Sequence, residues 1–247
     1  MAYKHIICTL LIFLGVSASY TGSQPAIVES ATLFDTFAAD IYNSLGDYSL
    51  NSTAFSLALL GQKSLIDKGL VQKKNLLTVI DFSRPSNEYR FFVIDLFNRE
   101  IIFKTLVAHG RNSGDLYASR FSNKPQSHES ALGFYVTGDP YIGGQGYSLL
   151  MCGMDTGYND NARQRAIVIH GADYVTDKYI QRYGRLGRSF GCPALPPDVN
   201  QSIIDKIKEG SVVFGYYPDD RYMKNSRILS QALANSDSMV YGQIPLN

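Results

Sequence analysis

Two side chains in the second half of the sequence have types and surroundings that suit nucleophilic catalysis. His170 directly follows the apolar run Ala166–Ile169 and precedes Gly171. This position places its imidazole at the end of a predicted strand. Cys192 follows Gly191 in a loop with little side-chain bulk before the sulfur. A glycine there lets backbone N–H groups turn toward a reacting carbonyl, as an oxyanion hole requires. The pair therefore has the ingredients of Cys–His nucleophilic catalysis.

Two other kinds of catalytic site fit the sequence less well. Gly187–Gly191 matches G-x-S-x-G, the nucleophile elbow of serine hydrolases, but that fold needs a histidine after the serine, and none follows Ser189. The side chains that could hold zinc are His109, His128 and His170, with Asp139, Asp155 or Asp173. No two of these histidines lie at the close spacings common in zinc sites, so no metal site and no cofactor is predicted.

The start of the chain predicts an export signal. Lys4 and His5 form a short polar leader, and the apolar run Ile6–Val16 is about half of the roughly 20 residues that span a bilayer. Val16–Ala18 supplies small residues of the kind after which signal peptidases cut. An uncleaved membrane anchor is the alternative. We expect an exported protein, periplasmic or associated with the cell envelope, with no stable membrane span after cleavage.

The meaning of the cysteines depends on that signal. Its removal would take away one of the three cysteines and leave Cys152 and Cys192. Two cysteines in an oxidising compartment first suggest one disulfide. Cys152 also suits a lone buried thiol, because it follows the apolar run Leu149–Met151. Arg185 and Arg188 lie close enough to Cys192 in sequence to favour a thiolate. The residues alone leave the disulfide and the free nucleophile both open.

Composition excludes some classes of partner. The 247 residues are 45% hydrophobic, enough to bury a substantial core. Lysine and arginine number 23 against 22 acidic residues, which gives a formal net charge of +1. This balance offers no electrostatic footprint for a nucleic acid or for an anionic membrane surface.

The elements that must position the two side chains are predicted as helices followed by short strands. Apolar residues recur at helical spacing over Val28–Leu45 and Phe55–Ile66. A later helix begins at Pro197, with Gly210 as its terminator. The strand candidates are Leu76–Asp81, Phe91–Leu96, Ile101–Ala108, Leu132–Thr137, Tyr147–Met151, Ala166–Ile169 and Val212–Tyr217.

The segments around both candidate residues resemble the L,D-transpeptidase family, the YkuD-like cysteine enzymes of bacterial cell walls. The nearer resemblance is to the branch of murein L,D-transpeptidase catalytic-domain proteins. The segments that carry it are Phe92–Leu96, Thr105–Gly110, Ser130–Tyr135, Gly157–Arg163, Ala166–Ala172 and Arg188–Leu195. They lie within about residues 50–225, and the last two are highly specific when found together.

The order of the predicted elements indicates an α+β fold, with N-terminal helices followed by a mostly antiparallel β-sandwich or barrel-like sheet. The resemblance implies the β-rich catalytic fold of the L,D-transpeptidases. The expected organisation is a signal peptide (1–18), a linker (19–27), a helical N-terminal region (28–70), a catalytic domain (71–225) and a C-terminal tail (226–247).

The resemblance also implies a two-step acyl transfer on peptidoglycan stem peptides. Cys192 would attack the carbonyl before D-Ala and form a thioester, while His170 takes the thiol proton and the Gly171 carbonyl orients the imidazole. An amine acceptor would give a 3-3 type cross-link, and water would give L,D-carboxypeptidase activity. β-Lactams of the carbapenem type would then be covalent inhibitors at Cys192.

Other site residues follow from the same resemblance. The N–H groups of Gly191 and Cys192 would stabilise the oxyanion, and further oxyanion or substrate contacts are expected from Phe190, Ser189, Arg188 and His109. Most of the wider family has a histidine where this chain has Phe190. This departure keeps open a non-catalytic cell-wall-binding protein with a drifted site. The histidines and aspartates named above keep a zinc-dependent murein peptidase open as a further alternative.

Overall fold

The computed structural model describes residues 26–235. The predicted signal peptide, most of the predicted linker and the last twelve residues of the predicted tail lie outside this range. The helices are α1 (Ala26–Leu45), α2 (Ser52–Asp67), α3 (Asp177–Tyr183), α4 (Pro197–Ile207), α5 (Asp220–Asn225) and α6 (Arg227–Asn235). The strands are β1 (Leu76–Asp81), β2 (Phe91–Asp95), β3 (Glu100–Thr105), β4 (Gly133–Gly143), β5 (Gly146–Gly153), β6 (Val168–Gly171), β7 (Ala194–Leu195) and β8 (Val212–Tyr216).

All eight of these strands form one mixed sheet in the order β3-β2-β1-β8-β4-β5-β6-β7. The pairs β1–β8 and β6–β7 are parallel, and the other five pairs are antiparallel. The chain that leaves β3 returns to the opposite end of the sheet, where the Ala108 N–H donates to the Ala194 carbonyl of β7 at 2.9 Å. The sheet is therefore nearly closed into a barrel. This confirms the predicted class: helices first, then a mostly antiparallel, barrel-like sheet.

The helical layer packs against this sheet through close contacts. Strands β1, β2 and β8 are buried along their whole lengths. The α2 helix begins after Asn51, whose side chain accepts from the Ala54 N–H at 3.0 Å. Gly61 of α2 lies so close to β4 that a Cβ there would overlap the Phe134 ring, so the glycine sets the helix-to-sheet distance.

Residues 220–235 extend the fold beyond the elements that the sequence predicted. Asp155, in the loop after β5, is buried and accepts from the Phe134 N–H (2.8 Å), the Tyr222 hydroxyl (3.0 Å) and the Ser226 hydroxyl (2.7 Å). Burial raises the pKa of this carboxyl above its ordinary value. The carboxylate therefore joins α5 and the start of α6 to β4. Within residues 26–235, none of the helices combines the length and apolarity needed to cross a membrane.

Candidate active site

Neighbouring segments of the sheet bring the two candidate catalytic residues together. His170 lies on β6 and pairs with Ala194 of the parallel strand β7. Cys192 precedes Ala194 by two residues, at the end of the turn that leads into β7. The Val168 N–H, two residues before His170, lies 3.5 Å from Cys192 Sγ. The β6–β7 pairing thus places the imidazole and the thiol on adjacent chain segments.

The His170 ring is held in one tautomer. Its side chain is buried, with 3% exposure, and Nδ1 lies 2.8 Å from the Gly171 carbonyl oxygen. Because a carbonyl only accepts, Nδ1 carries the proton and Nε2 keeps its lone pair. Burial lowers the pKa of His170 below its ordinary 6.5, although the bond to Gly171 opposes this shift. The ring is therefore a neutral base near pH 7.

Cys192 is a half-buried free thiol. Its Sγ lies 3.5 Å from the Ala166 carbonyl oxygen and 3.5 Å from the Val168 N–H. Burial raises the thiol pKa, while the Val168 N–H and the Arg165 charge act in the opposite direction. Cys152 is also free, so the disulfide that the sequence left open is not formed. Within the described part of the chain, no hydrogen bond joins Cys192 Sγ to His170.

Ser189 ties the turn before Cys192 together. Its hydroxyl donates to the Cys192 carbonyl at 2.6 Å and accepts from the Gly191 N–H at 3.0 Å. The Gly191 N–H, expected as an oxyanion donor, is therefore already engaged in this structure. The Cys192 N–H has no acceptor among residues 26–235. Gly191 has φ +124°, and a Cβ there would lie 2.8 Å from the Glu129 carbonyl oxygen, so only glycine fits.

His109 belongs to a buried network. Its ring is fully buried, and Nδ1 accepts from Arg90 Nη2 at 2.8 Å. Burial and the charge of Arg90 lower the pKa of His109 to about 3. The His109 carbonyl accepts from the Ser189 N–H at 3.0 Å. The expected substrate contact by His109 has no exposed surface in this structure, because its ring faces the core; through its backbone it positions the turn instead.

The two remaining predicted site residues lie at the surface of the same turn. Phe190 is 65% exposed, and its ring centroid lies 4.6 Å from that of His128. The guanidinium of Arg111 lies 5.1 Å from the Phe190 ring centroid. Arg188 forms an ion pair with Asp115 at 2.6 Å. Phe190 therefore presents an aromatic surface beside Cys192, while Arg188 links the turn to the loop after β3.

Three side chains that act on the Cys192 thiol were not among the predicted site residues. Arg165 lowers the pKa of that thiol, and the Tyr135 and Tyr174 phenols interact with its charge. Burial first, and Cys192 second, raise the pKa of Tyr174 to about 12. Arg165 and Tyr174 are each within two residues of the segment Ala166–Ala172, and this proximity in sequence could have indicated them.

The described residues hold no cluster of metal ligands, and the thiol lies outside four surface cavities. Across residues 26–235, no three His, Cys, Asp or Glu side chains are grouped so that they could hold a metal ion. Four surface cavities of about 260 to 530 Å³ are open to solvent, and neither Cys192 nor His170 lines any of them. The candidate nucleophile therefore lies at a turn rather than at the bottom of one of these cavities.

Comparison with known proteins gives a family match and several distant structural matches. A family model described as L,D-transpeptidase catalytic domain matches residues 47–216, more than half of the chain. One solved structure is an L,D-transpeptidase from Mycobacterium smegmatis, with 14% identity, a TM-score of 0.36, and coverage of 58% of this chain and 59% of that one. The chain thus spans about three fifths of that protein's length.

Two further matches cover more of this chain. The helical cell shape determining protein Pgp2 (K307A mutant) from Campylobacter jejuni matches with 15% identity, a TM-score of 0.38, and coverage of 74% of this chain and 62% of that one. An L,D-transpeptidase from Stackebrandtia nassauensis matches with 14% identity, a TM-score of 0.35, and coverage of 79% and 90%. No curated protein sequence matches the chain.

Proposed function

The chain belongs to the L,D-transpeptidase catalytic-domain family, and from this premise we propose that it is an exported cysteine acyltransferase acting on peptidoglycan stem peptides. Cys192 is the proposed nucleophile and His170 the proposed base. The proposed organisation is a signal peptide over residues 1–18, a helical region over 28–70 and a catalytic domain over 71–225, with a periplasmic or envelope location.

The observation that carries the proposal is the state of His170 beside a free cysteine. The Gly171 carbonyl keeps the Nδ1 proton in place, so Nε2 is available to accept a proton. Cys192, on the adjacent segment, carries no disulfide. A neutral imidazole next to a neutral thiol supports proton transfer during attack, because neither group is charged in the resting state near pH 7.

The proposed reaction has two steps. The thiol turns from the Ala166 carbonyl toward His170, Sγ bonds to the carbonyl carbon before D-Ala, and the Sγ proton moves to Nε2. The C–N bond then breaks, the D-Ala amine leaves with that proton, and a thioester remains on Cys192. An acceptor amine attacks the thioester to form a new peptide bond and restores the thiol; water in its place gives a free carboxylate.

The Cys192 N–H supports stabilisation of the tetrahedral oxyanion, because it has no acceptor within the described residues. Gly191 could add a second donor only after its N–H leaves the Ser189 hydroxyl, 3.0 Å away in the structure. We therefore propose that substrate binding loosens this contact. Such a change places the second donor at the oxyanion in the transition state, where it lowers the barrier.

The proposed function is tested by incubating the purified protein with stem tetrapeptides and identifying products by mass spectrometry. We expect loss of D-Ala, with cross-linked dimers when an acceptor stem is present and tripeptides when it is not. Cys192→Ala should abolish both products, whereas Cys152→Ala, the matched control, should keep them. A carbapenem should add covalently at Cys192.

Other results would contradict the proposal. Unchanged turnover by Cys192→Ala would show that Cys192 is not the nucleophile. A Cys152–Cys192 disulfide mapped in active protein would show the same. Activity lost to chelators and restored by zinc would favour a metallopeptidase. Binding to murein sacculi without any product would favour the wall-binding alternative.

A further inference from the structure

We propose that Arg165 is a positioning residue that anchors the chain over residues 122–129 against the Cys192 turn and supplies the counter-charge for the Cys192 thiolate. Residues 122–129 are called the covering loop below. The inference rests on the proposed function, because it concerns the same nucleophile. It assigns a role to a side chain that the catalytic steps above do not use.

The guanidinium of Arg165 is fixed at three points on the covering loop. Nη1 donates to the Ser122 carbonyl at 2.5 Å, and Nη2 donates to the Glu129 carbonyl at 2.6 Å and to the Ser127 hydroxyl at 3.2 Å. Two donors that reach both ends of one loop leave the planar group little freedom to rotate. The position of its charge is therefore set by the fold.

The same guanidinium packs against the peptide that precedes the nucleophile. A Cβ built on Gly191 would lie 3.2 Å from Arg165 Nη2, so the group faces Gly191 directly. The next residue along the chain, Ala166, presents its carbonyl to Cys192 Sγ at 3.5 Å. Ala166 has φ +52°, a left-handed conformation that is costly for alanine. This strained backbone places the Arg165–Ala166 segment alongside the Gly191–Cys192 peptide.

The charge of Arg165 has no carboxylate partner at hydrogen-bond distance among the described residues. Its three acceptors are two carbonyls and a hydroxyl, and the Glu129 carboxylate lies beside Arg120 instead, at 3.5 Å. A half-buried cation without a paired anion is stabilised by any negative charge that develops next to it. The thiolate of Cys192 is such a charge.

The other titratable groups that face Cys192 do not supply a cation at rest. Tyr135 of β4 and Tyr174 are phenols whose pKa values are raised by burial, so both are neutral near pH 7. His170 of β6 is neutral because burial lowers its pKa. Burial lowers the pKa of Arg165 and raises that of the Cys192 thiol. Their mutual attraction opposes both shifts, and Tyr135 and Glu129 oppose that of Arg165 as well.

The test measures the pH dependence of Cys192 alkylation by iodoacetamide, quantified by peptide mapping in the full chain. Arg165→Gln removes the charge and should raise the midpoint of the thiol titration by about one pH unit, which means about tenfold slower alkylation at pH 7. Arg165→Lys keeps the charge and should stay within about half a unit of the wild type. Arg163→Gln, an exposed neighbour, is the matched control and should not shift the midpoint.

The outcomes separate this inference from a purely structural role and from the proposed function. A folded Arg165→Gln protein that titrates like the wild type would overturn the inference, as would an equal shift in Arg163→Gln. If Arg165→Gln does not fold, a full-unit rise in folded Arg165→Lys would overturn it instead. A protein that shows the Arg165-dependent shift but turns over no stem peptide would contradict the proposed function alone.

Discussion

His170 Nδ1 and the carbonyl oxygen of Gly171 lie 2.8 Å apart, so the orienting group of the imidazole is the very next residue in the chain. A side-chain partner on another element could separate from the ring when substrate binds. A bond between consecutive residues of β6 moves with the strand that carries both. The basic Nε2 is therefore oriented by the backbone, without a third side chain.

This geometry predicts the pH dependence of the reaction. Burial lowers the pKa of His170 below 6.5, and burial raises that of the Cys192 thiol above 9.0. Below its pKa the ring is already protonated and cannot accept the Sγ proton, so kcat/KM should fall on the acid side only below pH 6.5. Steady-state rates across about pH 4.5 to 9 would check this. An acid limb centred at or above pH 6.5 would contradict it.

Replacement of Gly191 should distort the turn before Cys192 and so lower both stability and turnover. In Gly191→Ala the Cβ would lie 2.8 Å from the Glu129 carbonyl, at a φ of +124°. We expect a loss of about 1 to 3 kcal/mol in unfolding free energy and at least about a tenfold lower kcat, since Cys192, the proposed nucleophile, moves with the turn. Urea unfolding and stem-peptide turnover would measure the two effects.

Gly184→Ala is the matched control for that substitution. Gly184 also has a positive φ, +72°, but nothing lies within 4 Å of a Cβ there. It should lose about 1 kcal/mol and keep its turnover number. Equal turnover in the two variants would show that the space around Gly191 does not matter for catalysis.

The buried Arg90 should be among the most sensitive positions for stability. Arg90 is fully buried and donates to the Val107 carbonyl (2.8 Å), the Arg84 carbonyl (2.8 Å) and His109 Nδ1 (2.8 Å). Arg90→Met would leave these acceptors unpaired and should lower the free energy of unfolding by about 3 kcal/mol. Because His109 holds Ser189, activity should fall as well.

Arg99→Met provides the comparison for Arg90. Arg99 forms an exposed ion pair with Asp40 at 2.8 Å, and its loss should cost no more than about 0.5 kcal/mol. Both variants can be followed by urea denaturation. A loss in Arg90→Met no larger than that in Arg99→Met would mean that the buried network adds nothing to stability.

Phe190 should affect substrate binding rather than folding. Because 65% of the Phe190 surface is exposed, Phe190→Ala should change the free energy of unfolding by less than about 0.5 kcal/mol. If the ring contacts the stem peptide, KM should rise while kcat stays nearly constant. Phe97, in the β2–β3 hairpin, is similarly exposed at 60%, and Phe97→Ala should leave both constants unchanged. Identical KM values in the two variants would exclude that contact.

Local sequence patterns were sufficient for elements whose limits are set by nearby residues. The strand predicted over Leu76–Asp81 and the helix predicted from Pro197 occur as β1 and α4. Strand β4 runs past its predicted end at Thr137, because a register shift between Thr137 and Pro140 accommodates the proline that breaks the pattern. The strand order depends on contacts between distant segments, which no local pattern encodes.

In the candidate site, too, local sequence patterns predicted some features, while others depend on contacts between distant segments. Cys192 and His170 were proposed from their immediate neighbours in sequence, and the structure places them on adjacent chain segments. Packing in three dimensions decides that the His109 ring faces Arg90. It also decides that the Gly191 N–H donates to the Ser189 hydroxyl. Arg165 was missed because its partners lie about 36 to 43 residues away, on the covering loop.

The near-closure of the barrel has a consequence for folding. The turn that carries Cys192 is held by the Ala108–Ala194 bridge, and the sheet behind it depends on parallel pairing of β1 with β8, whose paired residues Leu77 and Val212 are about 135 positions apart. Pairing between residues so far apart in the sequence forms slowly and late, because a long stretch of chain must first be brought together. We expect a nascent or partly folded chain to carry Cys192 without His170 beside it, and therefore to lack acyl-transfer activity.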